Sequence, residues 1–327
     1  MKCIIAHGDL DGLTAAAILV DALEKESGGR AVLLIAQPFT LSSVLAKALA
    51  LRDLDRLYIV DVGVDPGTWS QVKERLSRVK LRTEIVVWID HHRTTLERLE
   101  ELARLGISLV YSIDGSAASI ARYAFLDRTS DPEFFEKLAI IGEISDRVRE
   151  ADPSDPLARA AEILGSSLSA RARDEDFKIG LVRKWVEEKV LIDEEVERAA
   201  EEARSRLGEL LREAERRKMY ESEKLVVVDF REVPARGYIS RVAAEYASRT
   251  GKITILLFYS GPKEVVATCR VPEELEVDAA RVLAKIAGEM GGSSGGHPKA
   301  CSIRVPRERV EALVRKLTEL EARVVGS

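Results

Sequence analysis

The chain has 327 residues, 46% apolar and 32% charged, which is a globular profile with room for two domains, each with its own core. A net charge of −5 argues against a protein that coats DNA through many phosphate contacts, but not against an enzyme holding a few nucleotides in a locally positive, metal-loaded cleft. No apolar run approaches the roughly 20 residues of a membrane span, and Met1-Lys2 leads straight into a strand pattern, so a cytoplasmic chain without a signal peptide is expected.

The first third alternates apolar runs with helix-period segments. Lys2–Ala6, Ala31–Ala36, Leu57–Val62 and Glu84–Ile89 read as short buried strands, with helices over Leu13–Glu26, Leu41–Leu51 and Pro66–Val79. That alternation predicts an α/β fold with a parallel sheet, whose ligands gather beyond the carboxyl ends of the strands. From Gly115 to about Lys218 the pattern turns helical, with helices over Gly115–Asp127, Pro132–Ser145 and the long charged stretch Asp193–Lys218. Arg212, Arg216, Arg217 and Lys218 alternate with Glu213 and Glu215, as on a solvated helix face. A second α/β pattern then begins. Strands are expected at Leu225–Asp229, Ile253–Tyr259, Val265–Val271 and Cys301–Val305, and helices at Ile239–Ser248, Ala279–Met290 and Arg307–Ala322. The expected domains are a catalytic one over 1–190, a helical linker over 191–222 and a smaller one over 223–327. Three widely spaced cysteines (Cys3, Cys269, Cys301) read as buried thiols. Asparagine is absent and only Gln37 and Gln71 supply side-chain amides, a composition that suggests a thermophile.

The chemistry concentrates in four histidines at three places. His7 opens His7-Gly8-Asp9-Leu10-Asp11-Gly12 after the first apolar run. His91 and His92 close Trp88-Ile89-Asp90-His91-His92. His297 follows the glycine-rich stretch Gly291–Gly296. Asp61 ends a further strand pattern, and a helix runs out in Gly142-Glu143-Ile144-Ser145-Asp146. Imidazoles and carboxylates thus come together from four segments. Such a mixed set suits Mn²⁺ or a similar transition metal better than Ca²⁺, which takes oxygen ligands. With this many ligands one ion is too few; two ions about 3.5–4 Å apart, sharing a carboxylate, serve in-line displacement at phosphorus.

These motifs resemble those of the DHH phosphoesterase superfamily, in the RecJ-like and nanoRNase-like branch that carries a DHHA1 domain. His7–Gly12 matches the first motif, Asp61 in Val60-Asp61-Val62-Gly63 the second, Asp90-His91-His92 the third and Asp146 the fourth. Gly291–His297 is similar to the DHHA1 signature, with Arg270 upstream where that domain has a phosphate-binding arginine. The resemblance implies two metals: one on His7, Asp9 and Asp61, the second on Asp11, Asp61, His91 and Asp146. It implies that His92 faces the scissile phosphate, that Asp90 orients a histidine, and that Arg270, Gly295, Gly296 and His297 hold the neighbouring phosphate. The active site would lie in the cleft between a parallel-sheet DHH domain and the smaller DHHA1 domain. One departure is visible: Ala300-Cys301-Ser302 stands where the signature usually continues Ala-Ala-Gly.

The expected activity is a Mn²⁺-dependent phosphodiesterase or exonuclease releasing nucleotides from the end of single-stranded DNA or RNA or of short oligonucleotides. Mg²⁺ is the second choice of ion. The rivals are hydrolysis of a small nucleotide, of the 3′-phosphoadenosine phosphate or cyclic dinucleotide type, and a non-catalytic scaffold partnering a replication or repair complex. Loss of ligands would mark the scaffold, and all six metal-ligand candidates are present. Taken singly, Asp61 also reads as a helix cap, Arg270 as a surface charge and Gly291–Gly296 as a flexible loop.

Overall fold

Apolar runs that end in polar motifs become the strands of one parallel sheet. In the computed structural model, which describes residues 1–319, these are β1 (Lys2–His7), β2 (Val32–Ala36), β3 (Arg56–Val60), β4 (Ile85–Asp90) and β5 (Ser108–Tyr111). They pair in the order β2-β1-β3-β4-β5, each neighbour parallel. Both faces are covered, so the strands are apolar along their length rather than alternating. Ile4, Ala6, Val60 and Ile89 enter one core, while Cys3, Ile5, Leu57, Ile59 and Trp88 enter the other.

Five helices stand among these strands: α1 (Leu10–Ser27), α2 (Leu41–Leu49), α3 (Trp69–Lys80), α4 (Arg93–Leu96) and α5 (Leu99–Arg104). Buried residues run unbroken from Leu10 to Leu23 of α1, so this is a central helix rather than a surface one. It starts where Asp9 accepts a hydrogen bond from Gly12 N and ends at Gly28, whose φ of 68° suits glycine. After β5 come α6 (Ala117–Phe125), α7 (Pro132–Ser145), α8 (Pro156–Ala170), α9 (Glu175–Glu187) and α10 (Glu194–Arg216). The side chains of Asp131, Asp155 and Asp174 cap α7, α8 and α9. No helix among the described residues is long and apolar enough to cross a membrane.

β5, α4 and α5 stand in addition to the elements expected from the sequence. Each has six residues or fewer, too short for a periodic signal.

The chain divides into two compact units, and the division falls inside α10, between Glu201 and Glu202. The second unit holds β6 (Lys218–Glu221), β7 (Leu225–Asp229), α11 (Ile239–Thr250), β8 (Ile253–Tyr259), β9 (Glu264–Arg270), α12 (Ala279–Glu289), β10 (Ser293–His297), β11 (Ala300–Pro306) and α13 (Val310–Thr318). Its sheet runs β10-β11-β9-β8-β7-β6; β7 and β8 are parallel and the other pairs antiparallel. Two expectations and one alternative reading need correction. The long charged helix stops at Arg216, and Lys218 begins a strand. The glycine-rich stretch is not a loop from Ser293 on: Ser293–His297 forms β10 and pairs with β11. Glycine gives no strand signal, so only the neighbouring ladder reveals it. The last helix begins as a 3₁₀ turn over Arg307–Arg309, and residues 320–322 of the expected span lie outside the described residues. All three cysteines are buried and free, as read.

Candidate metal centre

Parallel strands deliver their carboxyl ends to one rim of the sheet, and the predicted donors of the first unit meet there. His7 is the last residue of β1, Asp90 the last of β4, and Asp61 follows β3 directly. Asp146 ends α7. Asp61 takes a left-handed φ of 60°, uncommon for a residue with a β-carbon, and its N–H donates to Ile89 O at 2.9 Å. The conformation turns its carboxylate into the cluster instead of onward to a helix, so the cap reading of Asp61 does not hold. Gly12 allows the approach of these segments: a β-carbon there would lie 2.7 Å from His7 O and 3.0 Å from Asp61 Oδ2.

Asp61 sits at the middle, 2% exposed. Its Oδ2 lies 3.5 Å from His7 Nδ1 and its Oδ1 3.2 Å from His91 Nε2, so each oxygen faces a different imidazole. His7 Nδ1 is also 2.8 Å from Asp9 Oδ2, and His91 Nδ1 is 3.6 Å from Asp146 Oδ2. Asp11 Oδ2 stands 3.9 Å from His91 Nε2 while both its oxygens accept from the first amides of α6, Ala117 N at 2.8 Å and Ala118 N at 2.9 Å. Among the described residues three groups have donor atoms close enough for a shared cation: His7, Asp9 and Asp61; Asp11, His91 and Asp146; and Asp61, Asp90, His91 and His92.

Asp90 differs from the other carboxylates in being fully engaged. Its Oδ1 accepts from His92 Nδ1 at 2.7 Å, His91 N at 2.9 Å and His92 N at 3.3 Å, and its Oδ2 accepts from the Thr95 hydroxyl. The fixed carboxylate holds the His92 ring, whose side chain remains 42% exposed.

The electrostatics favour added positive charge. Burial pushes the Asp11 carboxyl well up, and Asp61, Asp146 and Asp9 push it further. Burial and Asp9 raise Asp61, and burial raises Asp146 to about 6 although His91 pulls the other way. Burial would lower His91, yet Asp61, Asp146 and Asp11 outweigh it and lift the imidazole to about 9. His7 is likewise raised against burial by Asp9 and Asp61. Crowded carboxylates that hold protons, and histidines that gain them, mark a site with more negative charge than its own cations offset. His7 Nδ1 and Asp61 Oδ1 are buried and form no hydrogen bond of good geometry. With two unengaged lone-pair atoms and a His/Asp donor set, the site fits divalent transition metals.

Arg270, Gly295, Gly296 and His297 belong to the second unit. His297 stands opposite Ala300, and Ala300 opposite Arg270, so the basic side chains share one face two strands apart. His297 is exposed and Arg270 half-buried, its Nη1 donating to Cys269 O at 2.8 Å. Gly296 has a φ of 119°, and a β-carbon there would meet Ala300 O at 2.4 Å, so glycine is required.

Three residues of the site were not read from the sequence. Gln37 Oε1 lies 3.0 Å from His7 Nε2 and fixes the ring from the far side. It follows β2 at the same rim, so the strand-end rule would have found it. Thr95 reaches Asp90, and Lys178 on α9 packs under Gly8; neither leaves a sequence signal.

Residues 2–121 match the model of the DHH family N-terminal domain, and residues 223–322 that of the DHHA1 domain. The chain belongs to the DHH phosphoesterase superfamily. No curated protein matches it by sequence. Among solved structures, RecJ from Thermus thermophilus with Mn²⁺ aligns over 98% of the chain at a TM-score of 0.64 and 19% identity. The chain spans about half of that RecJ, 52%. PggH, a pGpG-specific phosphodiesterase from Vibrio cholerae, aligns over 98% of both chains at a TM-score of 0.60 and 13% identity. The DHH domain of a member of a ribosomal-protein family reaches a TM-score of 0.70 at 18% identity, over 97% of this chain and 86% of its own. At these identities the likeness is one of fold.

Proposed function

We propose that the chain is a two-metal phosphodiesterase that releases nucleotides from the end of single-stranded DNA or RNA or of short oligonucleotides, with Mn²⁺ as its preferred ion. The observation that carries this reading is Asp61, whose two oxygens each face a different imidazole in a buried position. A carboxylate so placed suits a bridge. His7, Asp9 and Asp61 would hold one ion; Asp11, Asp61, His91 and Asp146 the other. When bound, the pair would supply a water acidic enough to attack at neutral pH and would offset charge on the phosphate.

The chain's own residues do the rest. Asp61 fixes the spacing of the two donor groups, and Gln37 holds the His7 ring through Nε2. Asp90 holds His92 through Nδ1, which leaves Nε2 as the ring nitrogen available to the scissile phosphate. There His92 acts as electrophile or proton donor to the leaving oxygen. In the second unit, Arg270 and His297 hold the adjacent phosphate, with Gly295 and Gly296 letting backbone approach it.

A second reading has one observation in its favour: alignment with PggH leaves almost nothing over in either chain, whereas RecJ is nearly twice as long. On that reading the substrate is a linear or cyclic dinucleotide. A product-length time course with Mn²⁺ on 5′-labelled and 3′-labelled DNA and RNA, from dinucleotides upward, separates the two. Stepwise shortening of long strands supports the exonuclease. Cleavage restricted to dinucleotides supports the second reading, and no cleavage of any phosphodiester removes both.

A further inference from the structure

One buried cation stands beside this carboxylate cluster and serves none of the roles assigned so far. Lys178, on α9, is 4% exposed. It passes under the turn between β1 and α1, where a β-carbon on Gly8 would come within 2.9 Å of Nζ. The Nζ group donates one hydrogen bond, to Ala172 O at 2.8 Å. Among the described residues no other partner lies within hydrogen-bond or ion-pair reach. An ammonium has three N–H donors, so two are left over.

Its nearest electrostatic neighbour does not take them up. Asp9 attracts Lys178, but Asp9 Oδ1 accepts from Gly12 N at 3.0 Å and Oδ2 is 2.8 Å from His7 Nδ1. Glu175 and Asp174 act on it more weakly, and Glu175 is shared with Lys47 of α2 at 3.9 Å. Burial depresses the lysine's pKa, which means the surroundings do not fully stabilise its charge. A buried ammonium kept only to tie down a turn would be expected to find a carboxylate, because an unpaired buried charge destabilises the fold. A cation with spare donors beside a metal site matches an oxyanion.

We propose that Lys178 is a phosphate-binding residue of the first unit, its Nζ taking a non-bridging oxygen of a substrate phosphate that lies beside Asp9. The inference rests on the phosphodiesterase reading above and adds a second phosphate anchor to Arg270 and His297. A phosphate held by a group that does not react positions the one that does, which is how remote contacts raise a rate.

The test uses the full chain loaded with Mn²⁺ and inorganic phosphate as probe, with both affinities measured by calorimetry. Lys178→Met should weaken phosphate binding at least about tenfold, the effect of one charge-assisted hydrogen bond, and leave Mn²⁺ affinity unchanged. Lys178→Gln removes the charge and shortens the side chain by one atom but keeps polar donors in place of an apolar end, so it serves if the methionine variant does not fold, and should lose phosphate similarly. Phosphate affinity retained in either folded variant overturns the proposal. So does Mn²⁺ affinity falling in step, because Lys178 would then be holding the metal loop. If the wild type binds phosphate through Lys178 but cleaves no phosphodiester, the subsite stands and the phosphodiesterase reading fails.

Discussion

Replacing Asp90 by asparagine tests whether this buried carboxylate works through His92 or on the metals. The substitution keeps shape. The amide oxygen can accept from His91 N, His92 N and His92 Nδ1 as Oδ1 does, and the amide NH₂ can donate to Thr95, whose hydroxyl oxygen accepts as readily as its hydrogen donates. Only the charge is lost. A hydrogen bond to a charged group contributes about 1.5–3 kcal/mol and a neutral one about 0.5–1.5, so the hold on His92 should weaken by roughly 1–1.5 kcal/mol. At about 1.4 kcal/mol per factor of ten, kcat on an oligonucleotide should fall about tenfold. His92→Ala should lower it by roughly 10²–10⁴, the range for a positioned acid or electrophile. The deciding variant is the double one. If Asp90 acts through the ring, adding Asp90→Asn to His92→Ala should cost nothing further, because two residues in one chain of contacts are not additive. Mn²⁺ titration and steady-state rates on the four proteins complete the cycle. A full tenfold loss that persists without His92, or a large fall in Mn²⁺ affinity in Asp90→Asn alone, refutes the reasoning.

Mn²⁺ should activate better than Mg²⁺, with Ca²⁺ inactive, and full activity in EDTA would remove the two-metal reading. Asp61→Ala should disrupt both ions by calorimetry while His92→Ala binds metal normally; equal metal loss in the two would reverse their assigned roles. Arg270→Ala or His297→Ala should lower kcat/KM on oligonucleotides at least about tenfold yet leave bis-p-nitrophenyl phosphate hydrolysis nearly unchanged. Equal losses on both substrates would show that these residues support the fold instead. Away from the site, hydrogen bonds from Lys73 and Trp69 hold the Glu101 carboxyl down at about 2. Its stabilising contribution is therefore present above the ordinary glutamate range and lost as pH falls from there toward 2, so Glu101→Gln should flatten the acid side of a melting-temperature profile.

What made the metal centre legible is that a parallel sheet converts strand ends into neighbours. His7, Asp61 and Asp90–His92 are far apart in sequence, but each terminates an apolar run, so placing those runs in one sheet gathers them. Gln37 obeys the same rule and was missed because a glutamine, unlike a histidine or aspartate, does not announce metal chemistry. The rule has no purchase on Asp146 or Lys178, which arrive on helices. Motif likeness supplied Asp146, and nothing supplied Lys178, since one lysine in a charged helix looks like any solvated residue until packing buries it. The left-handed backbone at Asp61 is invisible for a related reason. Aspartate tolerates that region better than most residues but nothing local calls for it here; the bond from Asp61 N to Ile89 O, formed only across the sheet, holds it. In the second unit the strand over Ser293–His297 was hidden because its residues have no strand propensity of their own. Its pairing depends on Ala300–Pro306, where alternate residues Cys301, Ile303 and Val305 are buried and anchor the ladder. The Ala300-Cys301-Ser302 departure is therefore absorbed in packing: Cys301 stands opposite Cys269 in the core, and Ser302 bonds to Thr268 at 2.9 Å on the other face. Residues that carry charge toward a ligand could be read from the chain itself, whereas those that hold such residues in place could be seen only after the fold had brought their partners together.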